Sequence, residues 1–250
     1  MPTVLLSLQP GESALHHSKI GGMPYFPKDY PPDVFYRPHP QVVHATPWPK
    51  DPKTGNELLL LLQLNFEEMP PLPSFPTQGI LQLFVNDRHW HELDRGLRVV
   101  YHAHIQRDPN ALFSDFDVST DSFRILATSI TFHRENEYIT PSDYRFNAKF
   151  YAPLRSNGLW INYLNLTDNR FHDHPEHGYG RNKIGGYHYS QNYQDPRVAK
   201  PGWEDSVLLV QFQDYARLCW GDGGSAQFFI KRNDLEQLNF NDLLFHWDST

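Results

Sequence analysis

The chain has 250 residues with a formal charge of −7, of which 39% are hydrophobic and 20% charged, a balance that excludes a disordered polymer. No run of clustered Lys and Arg exists to neutralise phosphates, which argues against nucleic acid as a partner. The 21 prolines and 14% aromatic residues favour strands broken by rigid turns over long helices.

Thr3 to Leu8 reads as a strand closed by Pro10-Gly11. Lys19-Ile20-Gly21-Gly22 follows and leads into Met23-Pro24-Tyr25-Phe26-Pro27. Proline fixes φ and cannot donate to a ladder, so the proline-studded stretch 27–56 reads as an extended surface excursion. The apolar run at 58–64 is short and bounded by turn residues, which suits a strand buried on both faces. Gly79 to Val85, Leu97 to His104 and Phe123 to Phe132 read as further strands. Ser142 to Ala148 reads as a short helix with Thr140 as N-cap and Pro141 at its first position, while Trp160 to Leu166 is compatible with helix or strand alike. Strands are expected again at 206–212, 225–230 and from Leu243 to Trp247, with a helical turn from Asp234 to Leu238.

The tetrapeptide Lys-Ile-Gly-Gly recurs at 183–186, and matched blocks follow both copies in the same order. Leu59 to Leu64 corresponds to Val207 to Phe212, and Ile80 to Val85 to Ser225 to Ile230. Such order predicts a duplicated supersecondary unit with variable loops between the blocks. The boundaries read as a first repeat at about 3–104, a joining segment at about 105–174 and a second repeat at about 175–250. The fold class expected is α+β, predominantly β: one internally duplicated, pseudo-two-fold domain, 1–250, with a few short helices.

With "SKIGGMPYFP", "ILQLFV", "NKIGGYHYSQ", "CWGDGGSAQFFI" and "LLFHWDS" in this order, the chain resembles the YwqG family from residue 3 to 248. That is a bacterial family of unknown biochemical activity, similar in turn to the β-rich domain of programmed-cell-death and ribosome-assembly chaperone proteins. The resemblance implies a duplicated β-rich fold, and a role in neutralising a toxin or holding one partner protein. It places the family's glycine pairs on Gly21-Gly22 and Gly185-Gly186, its strand glutamines on Gln63 and Gln211, and its Trp-Gly-Asp turn on Trp220, Gly221 and Asp222. The chain departs from the pattern at His188 and Ser190, where the family has Pro and a large apolar residue.

Glycine pairs cradle phosphates in some folds, but neither pair here opens a helix, so both read as backbone that needs positive φ, with Lys19 and Lys183 as rim charges. Gln63 and Gln211 sit in apolar strands, where an amide is costly unless bonded, and each is expected to satisfy an irregular backbone segment. His172-Asp173-His174-Pro175-Glu176-His177 holds enough zinc-type ligands for a site, yet Pro175 breaks regular geometry; His89 with His91 and His102 with His104 put two rings on one strand face. Asp115 and Asp117 lack the preceding strand of a phosphatase nucleophile pair, and Cys219 between Leu218 and Trp220 reads as a small buried hydrophobe.

The function expected is that of a non-enzymatic protein-binding module sequestering one partner, either a toxin or a client, without nucleic acid, membrane, cofactor or metal. Trp220, Asp222, Tyr25, Phe26, Tyr36 and Trp48 are the residues expected to contact that partner, on a surface held rigid by prolines. The rival class is a metal-dependent hydrolase built on His172 to His177. A single cysteine excludes an internal disulfide, and the opening residues lack a basic leader and a long apolar run, so the expected location is the cytoplasm.

Overall fold

Leu59 to Asn65 carries side chains that must be buried above and below the backbone, and the fold meets that demand with one broad sheet covered on both sides. The computed structural model describes residues 1–28, 48–51, 55–86, 97–114, 125–163, 182–190, 192, 194–215 and 217–249, with 33–36 and 147–148 as backbone alone. Its strands are β1 (Pro2–Pro10), β2 (Lys19–Ile20), β3 (Asp33–Tyr36), β4 (Leu59–Asn65), β5 (Ile80–Val85), β6 (Arg98–His102), β7 (Thr128–Asn136), β8 (Lys183–Gly185), β9 (Ser206–Gln213), β10 (Ser225–Lys231) and β11 (Leu243–Asp248). All pair antiparallel in a single sheet, in the order β11-β10-β9-β8-β1-β7-β2-β4-β5-β6-β3.

Read outward from the β1–β7 pair, the order is the same in both directions: β8, β9, β10, β11 beyond β1, and β2, β4, β5, β6 beyond β7. β1 precedes β2 in the chain yet pairs with β8, and β7 precedes β8 yet pairs with β2. The two halves therefore exchange their first strands. Lys19 faces Gln63 and Ser129, and Lys183 faces Gln211 and Leu5. Even the irregularities match, because Leu61 is the extra residue of a bulge between β4 and β5, and Leu209 that of a bulge between β9 and β10. The counterpart of β1 is thus β7, which lies inside the stretch at about 105–174 that reads from the sequence as a joining segment. Short strands with little literal identity conceal that relation.

One face of the sheet carries the main core, including Val4, Leu6, Leu62, Leu64, Leu81, Leu83, Phe212, Phe228 and Trp220. On the opposite face Phe26, Trp48, Leu60 and Phe84 cluster over the first half, and Trp203, Leu208, Phe229 and Leu244 over the second. Between β7 and β8 runs a helical excursion, α-helical at Tyr144–Phe146, π-helical at Asn147–Tyr151 and α-helical again at Ala152–Ser156. Pro153 has no N–H for the Lys149 carbonyl and its ring crowds that carbonyl, which accounts for the widened turn just before it. Thr140 does not cap this helix; its hydroxyl is spent on His188 O, and Asp143 accepts from the Arg145 N–H instead. Residues 160–163 are helical. Among the described residues no helix is long and apolar enough to cross a membrane.

Candidate functional site

The features common to both halves are structural. Gly21, Gly22, Gly185 and Gly186 have φ of +60°, +69°, +66° and +76°, a region that L side chains rarely adopt. The chain thereby bends so that Gln63 Oε1 accepts from Tyr25 N at 2.9 Å and Gln211 Oε1 from Tyr189 N at 3.2 Å. Across the ladder Gln82 donates to Tyr25 O and Gln227 to Tyr189 O, completing the same clamp twice. Only the glutamines of the first matched block in each half, Gln63 and Gln211, stand out from the sequence; Gln82 and Gln227 become informative once the register places them opposite.

Lys19 and Lys183 are each 2% exposed, so they are not rim charges. Lys19 Nζ donates to the carbonyls of Ser13, Ala14 and Met23, and Lys183 Nζ to Tyr187 O and Glu137. Burial pulls Lys19 down to about 8, partly offset by Glu12 and Glu68. Each ammonium group ties the carbonyl just past its own glycine pair, Met23 O or Tyr187 O, to a segment elsewhere in the chain.

The halves differ just beyond their glycine pairs. Five and seven residues after the repeated lysine stand Pro24 and Phe26 in the first half, but His188 and Ser190, both fully buried, in the second. Phe26 stacks on Phe84, whereas His188 packs on Phe229 at 5.5 Å. The excursion docks on the backbone of this segment: Thr140 donates to His188 O at 2.8 Å and Ser142 to Ser190 O at 2.9 Å. His188 Nδ1 lies 3.3 Å from Ser142 O, and since a carbonyl only accepts, that nitrogen carries the proton. Burial pulls this imidazole down to about 4, against the opposing pull of Asp195.

Beside it, Arg197 bridges two buried carboxylates. Its Nη2 is 2.9 Å from Asp143 Oδ2 and 2.6 Å from Asp195 Oδ2, and its Nε is 2.9 Å from Asp195 Oδ1. Arg145 adds Nε to Asp143 Oδ1 at 2.7 Å, and Tyr144 N donates to Asp195 Oδ2 at 3.0 Å. Burial pushes Asp143 and Asp195 up, but hydrogen bonds and charge from Arg145 and Arg197 outweigh it and hold both below the usual carboxylate range. Two cations and two anions thus lock the helical excursion onto the second half.

What that lock holds is an apolar surface. Phe150, Tyr151, Leu159 and Ile161 are 41%, 36%, 49% and 61% exposed. Phe150 and Tyr151 belong to an aromatic group, and Leu159 and Ile161 flank its Trp160 in the chain: Phe146 meets Phe150, Trp160 and Tyr163, and Tyr151 meets Trp160 edge-on at 5.1 Å. Adjacent apolar side chains left in water on a rigid support are the mark of a contact surface.

A family model described as a domain of unknown function, DUF1963, matches residues 39–249. The chain belongs to this family. No curated protein matches the sequence. In this DUF1963 chain β1, β2 and β3 lie before the matched stretch, although β1 is one of the central pair of the sheet.

The residues expected to contact a partner are mostly interior. Trp220, Tyr25, Phe26 and Trp48 are 1%, 0%, 0% and 4% exposed. Trp220 belongs to the main core beside Phe245, and Trp48 donates from its indole to Leu58 O beneath the first half. Aromatic bulk in loops flanking a two-sided sheet is drawn into the covering layer, which puts these rings beyond a partner's reach. Asp222 is exposed, while the Tyr36 side chain, Asp115 to Ser119, His89 with His91, and His172 to His177 lie outside the described residues. Among the described residues no group of three or more His, Cys, Asp or Glu could hold a metal ion. His102 is buried and bonded to Gln82, and Cys219 is exposed, not interior.

Proposed function

We propose that this chain is a non-enzymatic protein-binding module that sequesters one partner in the cytoplasm, a toxin it neutralises or a client it holds, and that its nearer kinship within the wider family is to the YwqG group. The observation that supports the reading is the exposed patch of Phe150, Tyr151, Leu159 and Ile161 on the excursion between β7 and β8. Burying the exposed part of such side chains is worth on the order of 1 kcal/mol each, and a surface already anchored by Arg197 loses little freedom on docking. Sequestration then works by occlusion, with no bond made or broken.

The test is a paired affinity capture from the native host using wild type and the double variant Leu159→Ser, Ile161→Asp. Both changes fall on exposed positions, so the variant should melt within about 2 °C of wild type. Wild type should recover one companion stoichiometrically, and the variant should recover it at least tenfold less. Equal recovery would remove the patch from the proposal, and repeated recovery of wild type alone would remove the proposal itself.

A further inference from the structure

A cavity of about 100 Å³ opens beside the second glycine pair, several times the room that a single water needs. Arg145, Arg197 and Arg232 line one part of it, Leu72, Phe75 and Leu208 another, and no acidic residue is among its described walls. A guanidinium has donors on three nitrogens, and none of these three arginines uses all of them on ordinary protein bonds. Arg145 gives Nε and Nη2 to Asp143, and its Nη1 makes no hydrogen bond among the described residues. Arg232 gives Nε to Asp205 and Nη1 to Ser74, leaving Nη2. Arg197 Nη1 reaches only Ser206 O, at a long 3.5 Å. Asp143 and Asp195 sit in the interior and orient the arginines without lining the cavity.

The geometry points to a binding site for a carboxylate that carries an apolar group, the anion on the arginines and the apolar part against Leu72, Phe75 and Leu208. The charge balance selects this class. Three guanidiniums are already matched by Asp143, Asp195 and Asp205, so one further negative charge is accommodated more readily than the two of a phosphate. Phosphate also offers nothing to the apolar wall. The same chemistry is presented by a small free acid and by the C-terminal residue of a peptide.

Isothermal titration calorimetry on the full chain separates these cases with N-acetyl-leucine, N-acetyl-leucinamide, inorganic phosphate, and an acetylated Ala-Ala-Ala-Leu peptide with a free C-terminus. The acid should bind, while its amide and phosphate should each bind at least tenfold more weakly. A peptide at least tenfold tighter than the acid makes a chain terminus the ligand, and equal affinity makes it a small free acid. Arg232→Gln, at a half-exposed position with no part in the buried network, should weaken the acid at least tenfold without moving the melting temperature. Equal binding of acid and amide, no heat with either, or unchanged affinity in Arg232→Gln would overturn the assignment. The outcome is independent of the apolar patch, since Leu159 and Ile161 do not line the cavity.

Discussion

Gly21 and Gly55 have nearly the same backbone, φ of +60° and +73°, and opposite surroundings. A Cβ on Gly21 would lie 2.6 Å from the Ile125 carbonyl oxygen, and one on Gly55 would meet nothing within 4 Å. Left-handed backbone costs an alanine about 1–2 kcal/mol at either site, so Gly55→Ala should lose about that amount and Gly21→Ala about 3 kcal/mol or more, as urea denaturation will show. Histidine makes the second residue-scale prediction. Burial holds His188 at about 4 and His102 at about 3, against 6.5 for a free imidazole. Below 6.5 the unfolded chain takes protons that the folded chain refuses, so the stability is full above that value and is lost as the pH falls towards the folded values. One unit below, each ring costs about 1.4 kcal/mol, and urea unfolding at pH ~5.5 should give a stability about 3 kcal/mol under that at pH ~7.5. Asp143, Asp195 and Asp248, all held low, act in the same direction at still lower pH and do not mask the effect. A flat profile would mean that protons reach these rings without unfolding.

At the scale of the element, the helical excursion is held by ion pairing more than by apolar burial, since Phe146 is the buried residue among those described in its α-helical turns. Arg197→Met strands the interior carboxylate of Asp195 and leaves Asp143 to Arg145 alone, and removal of one partner of a buried pair typically costs about 3–5 kcal/mol. Hydrogen exchange in 144–156 should then accelerate strongly, while β4 and β5 keep their protection relative to the new global stability; equal acceleration everywhere would mean that the excursion is not a separate cooperative piece. The sequence indicates the existence of this element but not its anchoring. Thr140-Pro141 has the form of a helix start, yet the hydroxyl that completes it is claimed by a backbone carbonyl from His188, distant in the chain. The departures at His188 and Ser190 are visible as departures; that their backbone carbonyls receive Thr140 and Ser142, and that the His188 ring reaches Ser142 O, depends on long-range pairing that local propensity does not encode. The aromatic residues mislead for a related reason. Composition cannot distinguish a ring that covers a sheet from one that waits for a partner, so Trp48 and Phe26 read the same as Tyr151 until the second layer is in place.

For the molecule as a whole, the repeated blocks are legible because buried strands keep their apolar and glutamine pattern, whereas the first strand of each half is not, because β1 and β7 have no common motif and the helical excursion separates β7 from the glycine pair that β1 closely precedes. Their exchange has a thermodynamic consequence that two independent half-domains would lack. β1 belongs by chain connection to β2, but nine of its residues pair with β7 and three with β8. Loosening β1 therefore withdraws support from the second half through β8 and from the first half through β7, which in turn borders β2. Val4 is fully buried opposite Ile184, and Val4→Ala should cost about 2 kcal/mol through the lost methyl groups and the space they leave. If the sheet is one cooperative unit, hydrogen exchange will show that cost equally in β4–β5 and in β9–β10, and the slowest amides of both pairs will open at one common free energy. A loss confined to β9 and β10 would mean that the ladder between β1 and β7 does not couple the halves, and that each folds on its own side of the sheet.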